Sequence, residues 1–242
     1  PLPTPGAEFV LYALAGGVCQ ILATALLVYL FAFRNFAVGT TYSKTETIQT
    51  AILGIVILGE TISSSAVFGI LISLVGVMAM SLASSDISVR NLLGGLVQRT
   101  ALIGIASGSF FGLSAVSYRA ASLSLGGEGF VMQAAFTLSF VTIFQSAIMA
   151  VYMRCREPGE ITRSFQAWRV ASWVGLSGMI ASACWFSAMT LQNAAYVRAV
   201  GQIELVFTFA ASYFVFRERA TRLEVTGILL IILGIVVILV GT

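Results

Sequence analysis

The chain has 242 residues, of which 58% are hydrophobic and only 10% charged, with a formal net charge of +3 and no histidine. Soluble domains carry about 25% charged residues, and a water-soluble fold of this size would have no place to hide so much apolar surface, so the composition places the chain in a membrane. The missing histidine excludes histidine metal sites and Ser-His-Asp chemistry, and the scattered basic residues form no continuous patch for nucleic acid.

A helix needs roughly 20 apolar residues to cross a bilayer. By that measure eight spans follow one another, named here A to H: A over Phe9–Phe33, B over Ala37–Leu58, C over Ala66–Leu82, D over Thr100–Val116, E over Gly129–Met153, F over Val170–Met189, G over Ala194–Phe216 and H over Val225–Val240. An open sheet could not satisfy its backbone in lipid, and these runs are too long for barrel strands. The expected fold is therefore an all-α transmembrane bundle. Cys19, Cys155 and Cys184 are far apart and form no CxxC pair, so they read as free thiols. No metal or cofactor motif is present.

The stretch Val38–Glu60 returns 158 positions later as Tyr196–Glu218. Asn35 falls on Asn193, Glu46 on Glu204, Thr50 on Thr208 and Glu60 on Glu218. Beyond it the register holds, with Gly69 on Gly227 and Gly76 on Gly234. The repeat maps A onto F, B onto G and C onto H. F lies five spans after A, and an odd number of crossings reverses direction, so the two copies are expected to be inverted. Inverted repeats are a mark of secondary transporters, with the substrate site near the midplane between the halves. The domains then read as a first repeat of three helices over 1–85, a linker over 86–99 and a second, five-helix repeat over 100–242. D and E have no partner inside the chain. Their counterparts would fall ahead of Pro1, which predicts two further helices and a five-plus-five plan; a complete eight-span protein is the alternative.

Lys and Arg in short loops set orientation. Arg34, Arg90, Arg99, Arg154, Arg156, Arg163, Arg169, Arg217, Arg219 and Arg222 fall on one side, Arg119 and Arg198 on the other. The rule puts the first group in the cytoplasm and the C-terminus outside.

Glu46 and Glu204 stand in the middle of apolar spans. A charge there costs about 2.5–3.5 kcal/mol on insertion scales, so such residues face a cavity or a partner. Residues four apart share a helix face, which aligns Tyr42, Glu46 and Thr50 on B, and Val200, Glu204 and Thr208 on G. Thr40 and Lys44 make a second stripe, matched by Arg198 and Gln202. Lys44 and Glu46 point apart, so pairing across the repeats is expected: Arg198 with Glu46, or Lys44 with Glu204. Burial disfavours the charged form of a carboxyl, which makes Glu46 and Glu204 proton-coupling candidates. Glu60 and Glu218 end their helices, where a carboxylate can satisfy the first N–H groups of the next helix, so both read as structural. Gln20 on A and Trp185 on F lie deep enough to line a cavity. The glycines at 104, 108 and 112 permit close helix approach.

The duplicated unit, the Gly59-Glu60 and Arg217-Glu218 endings and the spaced glycines that follow are similar to the drug/metabolite transporter superfamily, in its ten-helix EamA-type branch. The resemblance implies a secondary carrier in the cell's inner (plasma) membrane that moves small metabolites, amino acids or related compounds, by alternating access. It also implies a cavity lined partly by the helices matching A, B, F and G. Tyr42, Glu46, Arg198 and Glu204 then fall where a substrate would bind, with Lys44, Gln202, Gln20 and Trp185 as further candidates. The expected partners are a small-molecule substrate and the bilayer. The family is usually drawn with cytoplasmic termini, whereas the arginine distribution here puts the C-terminus outside. Two other readings stay open: a membrane-embedded binding or regulatory subunit, and an intramembrane enzyme, for which the chain offers no catalytic constellation.

Overall fold

The structure, a computed structural model, describes residues 3–33, 36–83, 98–127, 129–217 and 220–241. Arg34, Asn35, Arg90, Glu218, Arg219 and the linker up to residue 97 lie outside the described residues. Among the described residues the secondary structure is helical throughout: α1 (Ala7–Leu30), α2 (Phe36–Ser43), α3 (Glu46–Leu58), α4 (Ser64–Ala83), α5 (Arg99–Ser124), α6 (Phe130–Arg156), α7 (Glu160–Gln166), α8 (Trp168–Leu191), α9 (Ala194–Gly201), α10 (Ile203–Phe214) and α11 (Arg222–Gly241). Among the described residues seven stretches are long and apolar enough to cross a membrane, with α9 and α10 counted as one. The fold is an all-α transmembrane bundle.

Two expectations need correction. B and G were expected as unbroken spans, and both are broken, B into α2 and α3, G into α9 and α10. The breaks fall at Lys44–Thr45 and at Gln202, which are repeat equivalents. Each is a tightening rather than an unwinding. The Lys44 and Thr45 N–H groups donate three residues back, to the Thr41 and Tyr42 carbonyls, and the Gln202 N–H donates to the Ala199 carbonyl. Such a stretch of 3₁₀ geometry inside a helix marks a hinge or a strained sequence. Hydroxyls drive the first break: Thr41 bonds back to the Ala37 carbonyl, Ser43 to Thr40 and Thr45 to Tyr42. Side chains that bond back onto the helix compete with its ladder and bend it. In the second copy Gly201 stands where the first has Ser43, and glycine weakens a helix by about 1 kcal/mol relative to alanine.

The chain forms two compact units, residues 1–21 with 117–192, and residues 22–116 with 193–242. Each draws on both sequence repeats. The first is built on Phe9, Ala13, Tyr118, Ala121, Ala134, Val141 and Phe186, with the Phe9 ring edge-on to Phe140 at 5.2 Å. It is also tied by polar groups. Tyr118 Oη donates to Gln20 Oε1 at 2.6 Å, and Gln145 Nε2 donates to the same oxygen at 3.0 Å. Arg119 Nη1 donates to the Met189 and Gln192 carbonyls, each at 2.7 Å, closing the C-terminal end of α8 with a cation where the helix dipole favours one.

In the second unit α4 packs on α11 through the repeated glycines. A Cβ on Gly69 would lie 2.7 Å from the Gly234 carbonyl oxygen, and one on Gly76 would lie 2.6 Å from that of Gly227. As the number rises along α4 it falls along α11, so the helices are antiparallel. The two contacts exchange partners under the repeat, since Gly69 is equivalent to Gly227 and Gly76 to Gly234. That is the local two-fold relation an inverted repeat requires. The α5 glycines do similar work against B: Gly104 lies on the Gly39 backbone, Gly108 against the Ser43 carbonyl and Gly112 against Thr50. Gly76→Leu, forced against the Gly227 and Ile231 backbone, is expected to destabilise the protein by about 1–3 kcal/mol, read as a lower thermal midpoint in detergent; an unchanged midpoint would show that the two helices can part freely.

The starts of α4 and α11 carry side-chain caps. The Ser63 hydroxyl accepts from the Ala66 N–H at the start of α4. At the start of α11 Glu224 accepts from the Thr221 N–H while the Thr221 hydroxyl accepts from the Glu224 N–H, a capping box. Glu60 follows the left-handed Gly59 that ends α3, and its carboxylate lies over Gly54.

Candidate functional site

The two breaks create helix ends in the middle of the membrane-spanning segments. Their charges match the ends. Glu46 opens α3 and Glu204 stands in the first turn of α10, both at positive N-terminal poles. Arg198 stands in the last turn of α9, at a negative C-terminal pole. Each such placement is worth about 0.3–1 kcal/mol when exposed and about 2 in favourable partly buried geometry.

All four charged residues then pair across the repeats. Arg198 Nη1 lies 3.3 Å from Glu46 Oε1, and Lys44 Nζ lies 3.5 Å from Glu204 Oε1. The structure forms both pairs expected from helical spacing, so two acids and two bases meet as a neutral set. The pairs differ in depth. The Glu46 and Arg198 side chains are each 18% exposed, whereas Lys44 is 35% and Glu204 62% exposed. The repeat is therefore symmetric in position and asymmetric in environment. Thr50, equivalent to Thr208, follows the same trend: Thr50 is fully buried and Thr208 is exposed.

Gln202, at the second break, is buried. Its Nε2 donates to the Thr47 hydroxyl at 3.1 Å, while its Oε1 is buried with no hydrogen-bond partner among the described residues. An unsatisfied buried acceptor costs about 1–3 kcal/mol, and this one sits one helical turn from Arg198. The junction thus offers two cations, two carboxylates and an idle amide oxygen, a set able to take up a small polar molecule carrying donor and acceptor groups.

The other residues singled out in the sequence are placed elsewhere. Tyr42 is buried in an apolar cluster with Val38 and Ala101. Gln20 and Trp185 belong to the other compact unit, where Gln20 is committed to Tyr118 and Gln145 and Trp185 is half-buried on α8. Sequence reasoning passed over Thr47, which carries no charge and lies off the Glu46 stripe. It also passed over Tyr196, whose hydroxyl accepts from the Ser63 N–H at 3.1 Å and so ties α9 to the start of α4. No local pattern announces either contact. Among the described residues no three His, Cys, Asp or Glu side chains converge as a metal site would require.

Residues 98–240 match the model of the EamA-like transporter family. No curated protein sequence matches the chain significantly. A solved structure titled "Crystal structure of protein" resembles it with a TM-score of 0.63 at 13% identity, covering 98% of this chain and 90% of that one; at that identity the likeness concerns the fold alone. The family match covers more than half of the chain and includes α9, α10 and the second break. The chain belongs to the EamA-like transporter family, a family of membrane transporters of small molecules.

Proposed function

We propose that the protein is a secondary carrier that moves small metabolites, amino acids or related compounds, across the inner membrane by alternating access. The observation that carries this reading is the pair of repeat-equivalent helix breaks, each followed by a carboxylate and each cross-paired to a cation of the other repeat. Discontinuous helices in corresponding positions of inverted repeats are where secondary transporters bind substrate. In this account residues 1–85 and 100–242 act as the two repeats, and the breaks let the half-helices change their mutual angle.

Glu46, Glu204, Lys44, Arg198 and Gln202 form the binding junction. A substrate with an acidic and a basic group can take the place of one internal partner at each pair, so the charge of the junction stays balanced when it is occupied. Tyr42 is assigned to the wall of this junction, and Gln20 and Trp185 to substrate contacts within their own unit. Glu46 and Glu204 are assigned the additional role of carrying a proton when the pairs open. Glu60 and Glu218 are assigned to fixing the ends of their helices.

The test is uptake of a panel of radiolabelled metabolites into proteoliposomes containing the protein, with and without a proton gradient. Amino acids or close relatives are expected to enter or exchange above protein-free vesicles. Absence of flux for every class at every gradient contradicts the carrier reading.

A further inference from the structure

The segment between the long helices α6 and α8 carries a feature that transport does not use. It holds Arg154, Arg156, Arg163 and Arg169 within sixteen residues, against Glu157 and Glu160. One carboxylate is taken: Glu160 pairs with Arg163. Arg154 and Arg156, in the last turn of α6, and Arg169, at the start of α8, make no ion pair among the described residues. The short helix α7 adds Ile161 and Phe165, four residues apart on one face, and the first residue of α8 adds Trp168. Phe165 is 75% and Trp168 62% exposed. The Arg169 guanidinium lies over the Trp168 ring, 5.9 Å from its centroid.

Exposed aromatics beside unpaired cations, at the ends of two membrane-spanning helices, fit the boundary between acyl chains and headgroups. Tryptophan settles at that level, and an amphipathic segment with aromatics on one side and arginines on the other binds there in proportion to apolar burial and attraction to anionic lipid. Arginine adds a fork of N–H donors matched to phosphate.

We propose that residues 154–169 form a docking surface for anionic phospholipid headgroups, with Arg154, Arg156 and Arg169 holding the phosphates and Phe165 and Trp168 set into the acyl boundary. The surface enriches anionic lipid around this end of the bundle beyond its share of the bilayer. The charge complementarity comes from the unpaired guanidinium groups, and the exposed Phe165 and Trp168 side chains fix the depth. This proposal does not depend on what the protein carries.

Trp168 lies in the proposed site and reports on it. In the W173F/W185F protein it is the remaining tryptophan. Reconstituted in phosphatidylcholine vesicles containing 20 mol% phosphatidylglycerol, its fluorescence is to be quenched by brominated phosphatidylglycerol in one series and by an equal fraction of brominated phosphatidylcholine in the other. Brominated phosphatidylglycerol is expected to quench at least twice as strongly. R154Q/R156Q/R169Q in the same background is expected to bring the two series together, and so is about 1 M salt on the unsubstituted arginines, where the Debye length falls to about 3 Å. The salt series keeps the test decisive if the triple variant fails to fold. Equal quenching by the two lipids at low salt overturns the proposal, as does a phosphatidylglycerol preference that survives both the substitutions and the salt.

Discussion

Arg198→Ala is expected to cost roughly 3 kcal/mol of stability and to abolish flux. Glu46 and Arg198 are both largely buried and 3.3 Å apart. Removing one partner of such a pair leaves the other charge uncompensated, and that penalty exceeds the net worth of the intact pair. The guanidinium also faces the negative end of α9, so alanine loses the dipole contribution as well. The double variant Glu46→Gln/Arg198→Gln, in which no charge is stranded, is expected to recover most of the stability and none of the flux. Thermal unfolding in detergent and uptake into proteoliposomes read the two quantities separately. An Arg198→Ala protein that melts with the parent and still transports would show that the pair serves neither purpose.

Glu204→Gln gives the opposite pattern. Its side chain is 62% exposed and its lysine partner 35% exposed, and pairs of that kind contribute about 0–1 kcal/mol. Stability is expected to change by less than about 1 kcal/mol while flux falls at least tenfold, because the carboxylate stands in the first turn of α10, in the proposed binding junction. The contrast between two repeat-equivalent residues separates function from folding. A general packing defect such as Gly76→Leu lowers both together, whereas Glu204→Gln lowers transport alone. Full flux in Glu204→Gln at every pH gradient would remove Glu204 from the site and from proton coupling.

Much of this was legible in the sequence, because a bilayer turns composition into topology. Apolar length marks the spans, and a duplication at constant spacing places Glu46 over Glu204 and Gly69 over Gly227. Helical spacing went further: it set Lys44 and Glu46 on different stripes and so sent each to a partner in the other repeat. The breaks were not legible. A turn of 3₁₀ geometry consumes three residues where an α turn consumes 3.6, and this leaves the hydrophobic run intact. The trace it leaves is the density of hydroxyls at Thr40, Thr41, Ser43 and Thr45, each bonding back onto the chain, and the Gly201-Gln202 step in the other copy. Tertiary contacts were out of reach for another reason. Arg119 finds the end of α8 some seventy residues away, and nothing near it in sequence names that partner.

The break also explains why charges stand in the middle of the spans. In an unbroken helix Glu46 and Glu204 would stand mid-helix, away from either pole. At a break each stands in the first turn of a new helix, at its positive pole, so the sequence that weakens the helix also stabilises the acid beside it. Local structure, charge placement and proposed function then rest on the same few residues.

The most direct measurement is the affinity of the purified protein for a transported compound, by calorimetry, before and after Gln202→Ala. The substitution removes a buried acceptor that has no partner among the described residues together with a donor to Thr47, so the thermal midpoint is expected to change little. If the junction of the two breaks holds the substrate, the dissociation constant rises at least tenfold. An unchanged constant in a folded Gln202→Ala protein would place the substrate elsewhere and contradict the account.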